Sequence, residues 1–146
     1  MEVNFTVGTV PVAKQSARFG CSKNGKLIKY TDQKVKNYAQ YVRLCAMDAV
    51  GDRLPFSGPV EARVQFRFPW PKTMSRLDRA KVEALPVPYR AKKPDVDNLQ
   101  KNIFDAMNGV VYFDDSQIVK VTVEKIYHAT PSVAISIRTF DETRDM

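Results

Sequence analysis

The segment KPDVDNLQKNIFDAMNGVVYFDDSQIV, spanning residues 93 to 119, gathers Asp95, Asp97, Asp105, Asp114 and Asp115 within a chain whose formal net charge is +7. Three or four carboxylates that converge repel one another at neutral pH unless a cation sits among them, and hard divalent cations prefer oxygen ligands. Mg2+ suits such a set because it uses few carboxylates and fills its octahedron with water and substrate phosphate, with Mn2+ as a substitute. Lys101, one helical turn beyond Asp97, adds a fixed positive charge able to steady a phosphate in a transition state. The chemistry these residue types suit is phosphodiester hydrolysis, with Asp95, Asp97 and the Asp114–Asp115 pair as candidate ligands.

The elements that must position these groups follow from spacing. Residues 97 to 108 have the length and apolar register of a helix, with Leu99, Ile103 and Met107 on one side and Gly109 as the C-cap. At about 100° per residue, Asp97, Lys101, Asp105 and Asn108 share an arc of roughly 80° on the other side. That arc alone is also what an ordinary solvated face with an i to i+4 Asp97–Lys101 ion pair would show, and Asp97 could be a plain N-cap. Asp95 is not needed for capping. Pro94 favours an extended Lys93, so the DVD run sends two carboxylates toward one side as the helix begins. Asp114 and Asp115 precede a strand starting near Gln117, and packing across GVVYFD would set them at the sheet edge facing the helix start; DDS is also ordinary turn chemistry. Asp105 and Asn108 read as surface or supporting groups, and Asn98 as an amide that orients the Asp95–Asp97 loop.

Around this segment, VNFTV (3 to 7) alternates as a strand, and residues 8 to 32 form a long basic loop carrying Lys14, Arg18, Lys23, Lys26 and Lys29. Residues 34 to 50 show a helical apolar face, with Thr31 or Asp32 as its N-cap. VEARVQFRF (60 to 68) has a strict period of two and one buried face. Ser75 and Asp78 form a capping box opening a short basic helix that Pro86 and Pro88 end, and PYRAKKP leads extended into the acidic segment. IVKVTVEKIYH and SVAISIRTF read as two strands joined around Pro131 and paired antiparallel, before a frayed tail from 141 to 146. The order is β-α-β-(α)-α-β-β: a single α+β domain over residues 1–146, with a mixed sheet flanked by helices.

Charge is unevenly placed. Residues 1 to 93 hold 18 Lys or Arg against 7 Asp or Glu, and residues 94 to 146 hold 5 against 9, so a basic surface sits beside an acidic site. Such a surface suits the phosphate backbone of a nucleic acid, with affinity that falls as salt rises. No apolar run is long enough for a membrane span and the N-terminus lacks a signal-peptide pattern, so a cytoplasmic location with no membrane partner is expected. Cys21 and Cys45 read as free thiols, His128 as structural, and Trp70 as a packing residue.

The run KPDVDNLQKNIFDAMNGVVYFDDSQI resembles the signature of the RusA family of Holliday junction resolvases, small metal-dependent endonucleases common in prophages. It matches D-x-D-N-x-x-K, then F-D-A-(L/M), then a closing D-D-x-Q, in order and spacing. More weakly, GTVPVAKQSARF is similar to the family's first strand and its Pro, Lys and Arg-bearing loop, although Ala13 and Ser16 stand where prolines or arginines are frequent. The resemblance implies a Mg2+-dependent endodeoxyribonuclease that resolves a four-way DNA junction by paired symmetric nicks in recombination and repair. It implies that Asp95, Asp97 and Asp115 are the essential aspartates and Lys101 the essential lysine, and that the protein is a homodimer. Lys14, Arg18, Lys92 and Lys93 are the expected DNA-binding residues. A non-catalytic protein that binds branched DNA, or a nuclease for other branched nucleic acids, is the alternative.

Overall fold

Alternation in VEARVQFRF places Val60, Ala62, Val64, Phe66 and Phe68 on one side of strand β4 (Val60–Phe68), and all five are buried. The computed structural model that shows this describes residues 1–14, 18–21, 25, 27–30 and 33–140. Their elements are β1 (Glu2–Val7), β2 (Arg18–Cys21), β3 (Leu27–Tyr30), α1 (Gln33–Val50), β4, α2 (Arg76–Glu83), α3 (Val96–Ala106), a 3₁₀ turn (Asp115–Gln117), β5 (Ile118–Tyr127) and β6 (Ser132–Thr139). The α+β class and the expected element order hold, with one addition. Within the stretch expected to be loop, β2 and β3 pair antiparallel, Arg18 opposite Tyr30 and Cys21 opposite Leu27. Gly25 between them adopts φ +76°, a left-handed conformation that costs glycine little. The proposed Thr31 or Asp32 cap and the tail from 141 to 146 lie outside the described residues.

The main sheet has the order β1-β6-β4-β5. β1 and β6 are antiparallel, from Glu2 opposite Arg138 to Val7 opposite Val133, and β4 is antiparallel to β6. β4 and β5 are parallel, which requires a crossover, and the connection between them carries α2 and α3. The expected β5–β6 hairpin is therefore not formed, because β4 lies between the two strands. Residues 128 to 131 bridge two strand spacings, about 10 Å, which four residues can span. They pass over the end of β4, where His128 N–H donates to Phe68 O at 2.8 Å, and the His128 ring accepts from Thr130 N–H at 2.9 Å. That histidine is a turn residue.

α1 packs on β1 and on α3, and α3 packs on β5. Their apolar sides, including Tyr38, Val42 and Ala46 of α1 and Leu99, Ile103 and Met107 of α3, close the core over one face of the sheet. The sheet's other face carries Arg63, Gln65 and Arg67 of β4. Glu61 belongs to that side and was expected to be solvated, yet it is fully buried. It is enclosed by Arg138, with Lys120 at 3.5 Å and Arg63 at 3.8 Å, because a central strand brings cations from both neighbours or its own length over a short side chain. Desolvation alone would raise the Glu61 pKa, but the Arg138 hydrogen bond and charge, then Lys120 and Arg63, hold it below the ordinary value.

Ser75 caps α2 as expected, accepting from Asp78 N–H at 3.1 Å. Trp70 stacks on Tyr127 with ring centroids 4.7 Å apart and has the Arg79 guanidinium 4.6 Å from its ring, so it serves packing.

Candidate functional site

The chain reaches α3 along the outer edge of β5. Tyr89 bridges Ile126, Arg90 N–H donates to Lys125 O at 2.9 Å, and Tyr127 N–H donates to Pro88 O at 2.9 Å. The Lys125 ammonium then donates to the carbonyls of Lys92 (2.7 Å) and Pro94 (2.9 Å), while the Arg90 guanidinium donates to Lys93 O at 2.7 Å and lies over the Phe68 ring. Through Lys92, Lys93 and Pro94 the backbone bends, with a cis Lys93–Pro94 peptide, rather than running extended as the sequence suggests. The Lys92 and Lys93 side chains are exposed beside the start of α3.

Asp95 occupies the N-cap position with extended backbone, φ −71° and ψ 149°, yet its carboxylate makes no capping hydrogen bond. The cap expected at Asp97 is thus two residues too late, and Asp97 lies within the first turn. Both carboxylates are exposed at the helix end whose dipole favours negative charge. Lys101 is exposed one turn further on, and among the described residues no ion pair joins it to Asp97. The ordinary explanations for this trio, a side-chain cap and an i to i+4 bridge, are therefore not what these side chains do here.

The helix ends at Ala106 with Met107 as C-cap; Gly109, expected as the cap, sits two residues later at φ +76° and opens the reversal that follows. Its N–H donates to Tyr112 O at 2.7 Å, Val110 and Val111 N–H donate to Met107 O at 3.1 Å, and the buried Tyr112 hydroxyl donates to Phe104 O at 2.7 Å. Arg43 of α1 donates to Asn108 O at 2.9 Å, a cation placed at the negative end of α3. These bonds fold residues 109 to 113 back onto the last turns of the helix. The acidic pair that follows accordingly lies by the C-terminal half of α3, not facing its start.

Asp114 is the N-cap of the 3₁₀ turn, its Oδ2 accepting from Ser116 N–H at 3.1 Å, and the Ser116 hydrogen bonds hold its pKa below the ordinary value. Gln117 completes a capping box: its Oε1 accepts from Phe113 and Asp114 N–H at 2.8 and 3.0 Å, and its Nε2 donates to Phe56 and Gly58 carbonyls at 2.8 and 2.9 Å. Asp115 is half-buried. Its pKa is raised first by burial, then by a hydrogen bond with the Asp105 carboxyl and the charges of Asp114 and Asp105. Burial of Tyr112, and after it the charges of Asp115, Asp105 and Asp114, push that phenol up as well.

Asp105, read in the sequence as a surface or supporting group, belongs to the second acidic group. Eight helical residues separate it from Asp97, about 12 Å along the axis. Its Oδ2 also receives the Lys14 ammonium at 2.6 Å. The same N-terminal segment docks on α3 twice more: Lys14 N–H donates to Asn98 O at 3.0 Å, and the buried Asn102 amide donates to Val12 O at 3.1 Å. Asn98 contributes here through its carbonyl, not through the amide hydrogen bond to the Asp95–Asp97 loop that was expected. Asn102 had a sequence signal: it lies in the apolar register of Leu99, Ile103 and Ala106, where a lone amide needs a buried partner. Lys125 had none, since its partners are backbone carbonyls far along the chain, whereas Gln117 had the D-x-x-Q spacing of a capping box, although its Phe56 and Gly58 partners are distant. Arg18 was expected to bind DNA, and its side chain lies outside the described residues.

Among the described residues no three acidic, His or Cys side chains stand close enough to enclose one cation. The oxygen-only donors at the start of α3, uncommitted to capping or ion pairs, still fit a hard divalent cation that needs one or two carboxylates and keeps several waters. No helix among the described residues is long and apolar enough to cross a membrane.

Comparison with known proteins bears on the chain as a whole. The family model described as "Endodeoxyribonuclease RusA" matches residues 9–138. The chain is also 38% identical over 137 residues, 93% of its length and 95% of the other's, to "Uncharacterized protein YqaN" of Bacillus subtilis (strain 168). With a match that starts just past β1, reaches into the last residues of β6 and takes in every acidic residue of the candidate site, the chain belongs to the RusA endodeoxyribonuclease family.

Proposed function

We propose that the chain is a Mg2+-dependent endodeoxyribonuclease, with Mn2+ as a substitute, that resolves four-way DNA junctions as a homodimer by paired symmetric nicks. One observation carries this reading: Asp95, Asp97 and Lys101 are exposed around the first turns of α3, and capping and ion pairing use none of them. Asp95 and Asp97 hold the cation at the start of α3 and Lys101 contacts the scissile phosphate, while Asp115, which belongs to the second acidic group, is the third essential carboxylate. A bound divalent cation supplies an activated water and neutralises charge on the phosphate. Lys101 adds a fixed charge where the phosphate oxygens grow more negative, and its freedom from Asp97 leaves that charge undivided. Lys92 and Lys93, beside the start of α3, and Lys14 and Arg18 hold the DNA backbone, which suits a chain of net charge +7. A two-fold substrate suits a two-fold enzyme, with one site for each opposing strand.

The test is a labelled four-way junction incubated with purified protein, Mg2+ or Mg2+ plus chelator. Symmetric paired nicks that vanish with chelator are expected. Retarded but uncut junction in every lane would make the protein a binding module, and preferential cutting of flaps, forks or RNA hybrids in parallel lanes would reassign the substrate.

A further inference from the structure

We propose that α2 and the turn entering it form an arm that grips the phosphate backbone of a DNA duplex beside the cleavage site; this rests on the reading of the chain as a junction nuclease. No residue of α2 is buried, and Val82 is its one half-covered side chain. A helix this short depends on packing for stability, and this one packs little. A column of rings and cations holds it at the end of the sheet instead. Arg79 lies over Trp70 at 4.6 Å, Trp70 stacks on Tyr127 at 4.7 Å, and Arg90 lies 5.7 Å from the Tyr127 ring and 4.3 Å from that of Phe68. The same Arg90 guanidinium donates to Lys93 O, two residues before Asp95. The column therefore fixes α2 and the approach to α3 on one edge of the sheet, where a single DNA arm can meet both.

The charges of the arm are sorted by side. Arg79 is committed to Glu83, at 2.7 Å, and to Trp70. Lys72, Arg76 and Lys81 are exposed, and none of their side chains has an ion pair or hydrogen bond within the described residues. At about 100° per residue, Arg76, Ala80, Leu77 and Lys81 share an arc of roughly 140° opposite Arg79 and Val82, with Asp78 beyond its Lys81 edge. The outward side of α2 thus carries charge of one sign. A second copy of the chain is the other occupant such a surface would take, but a two-fold contact sets Arg76 and Lys81 against like charges. Leu77, 67% exposed between them, is too little apolar area to offset that. A phosphate backbone matches the charge and needs no apolar core.

Lys72→Gln, Arg76→Gln and Lys81→Gln, singly and combined, are compared with the parent protein and with Lys36→Gln, which removes an exposed cation of α1. Four-way junction affinity is measured across salt with chelator present, and the junction arms are footprinted. Each variant is also melted, and its size without DNA is taken by sedimentation. Each α2 variant is expected to lose several-fold in affinity, and the triple on the order of thirtyfold, with a salt slope shallower by about two to three. The triple should also expose a stretch of duplex arm that the parent protects, and melt like the parent, since it removes no buried or paired group. Parent affinity and slope in the triple would overturn the proposal, as would losses no larger than that of Lys36→Gln, which would be net charge alone. A change of oligomeric state in the triple would make α2 a contact between copies instead. If the parent fails to bind the junction, the nuclease reading falls and the arm with it; if the parent binds and cuts and the triple does so equally, only the arm fails.

Discussion

The Lys125 ammonium on β5 donates to Pro94 O at 2.9 Å, one residue before Asp95, and so ties the start of the acidic helix to the edge of the sheet. The same ammonium also binds Lys92 O at 2.7 Å. Both acceptors are backbone carbonyls, so Lys125 fixes the path of the chain and not a side-chain conformation. Lys125→Met keeps the apolar stem and removes the donors. It is expected to lower the cleavage rate on the order of tenfold to a hundredfold, since small displacements of reacting groups have that effect. Melting temperature and single-turnover rates, measured together, check it; an unchanged rate would mean that the edge strand alone sets the position of Asp95.

Asp97 and Lys101 divide the work differently. In the proposed site Asp97→Asn removes a cation ligand and a negative charge near the phosphate, so cleavage should be abolished while junction binding is kept or tightened. Lys101→Ala should lose rate more than affinity, because its charge counts most where the phosphate gains charge. Gel retardation with chelator and cleavage with Mg2+ separate the cases. Normal cutting by Asp97→Asn would show the site to be misassigned, and a pure affinity loss in Lys101→Ala would make it a binding residue.

Gln117 joins the acidic turn to the loop before β4 through four hydrogen bonds to backbone groups. Gln117→Ala leaves those groups to water or unpaired, a loss of about 1–3 kcal/mol in urea unfolding. Since the turn carries Asp115, the cleavage rate should fall as well, even at temperatures where the variant is fully folded.

Glu61 sets a pH dependence. Its folded pKa lies below the ordinary glutamate value, so the carboxylate is bound more tightly in the folded than in the unfolded chain. That contribution is complete above the unfolded value and is lost as pH falls through the folded one. Glu61→Gln should therefore melt below the parent at neutral pH, and the gap should narrow on acidification through that window. A gap constant with pH would mean that packing, not charge, makes the difference.

Much of this was legible from residue types and spacing. Alternation located β1 and β4, the three-four spacing located α1 and α3, and the D-x-D-N-x-x-K run pointed to the family that the comparison then showed. These signals are local: a strand's period of two or a helix's turn is written in neighbouring residues. What the sequence left open was set by distant partners. β4 separates β5 from β6 because the parallel crossover through α2 and α3 returns the chain on its far side. Glu61 is buried because Arg138 and Lys120 arrive from the two neighbouring strands. Asp105 meets Lys14 across 91 residues and meets Asp115 only because Tyr112 and Gly109 fold the intervening loop back onto α3. The sequence by itself determined which carboxylates and lysines the protein has for its chemistry. Only the tertiary structure decided which of them stand together, because a carboxylate's neighbours are fixed by chain reversals and sheet order that no local period encodes.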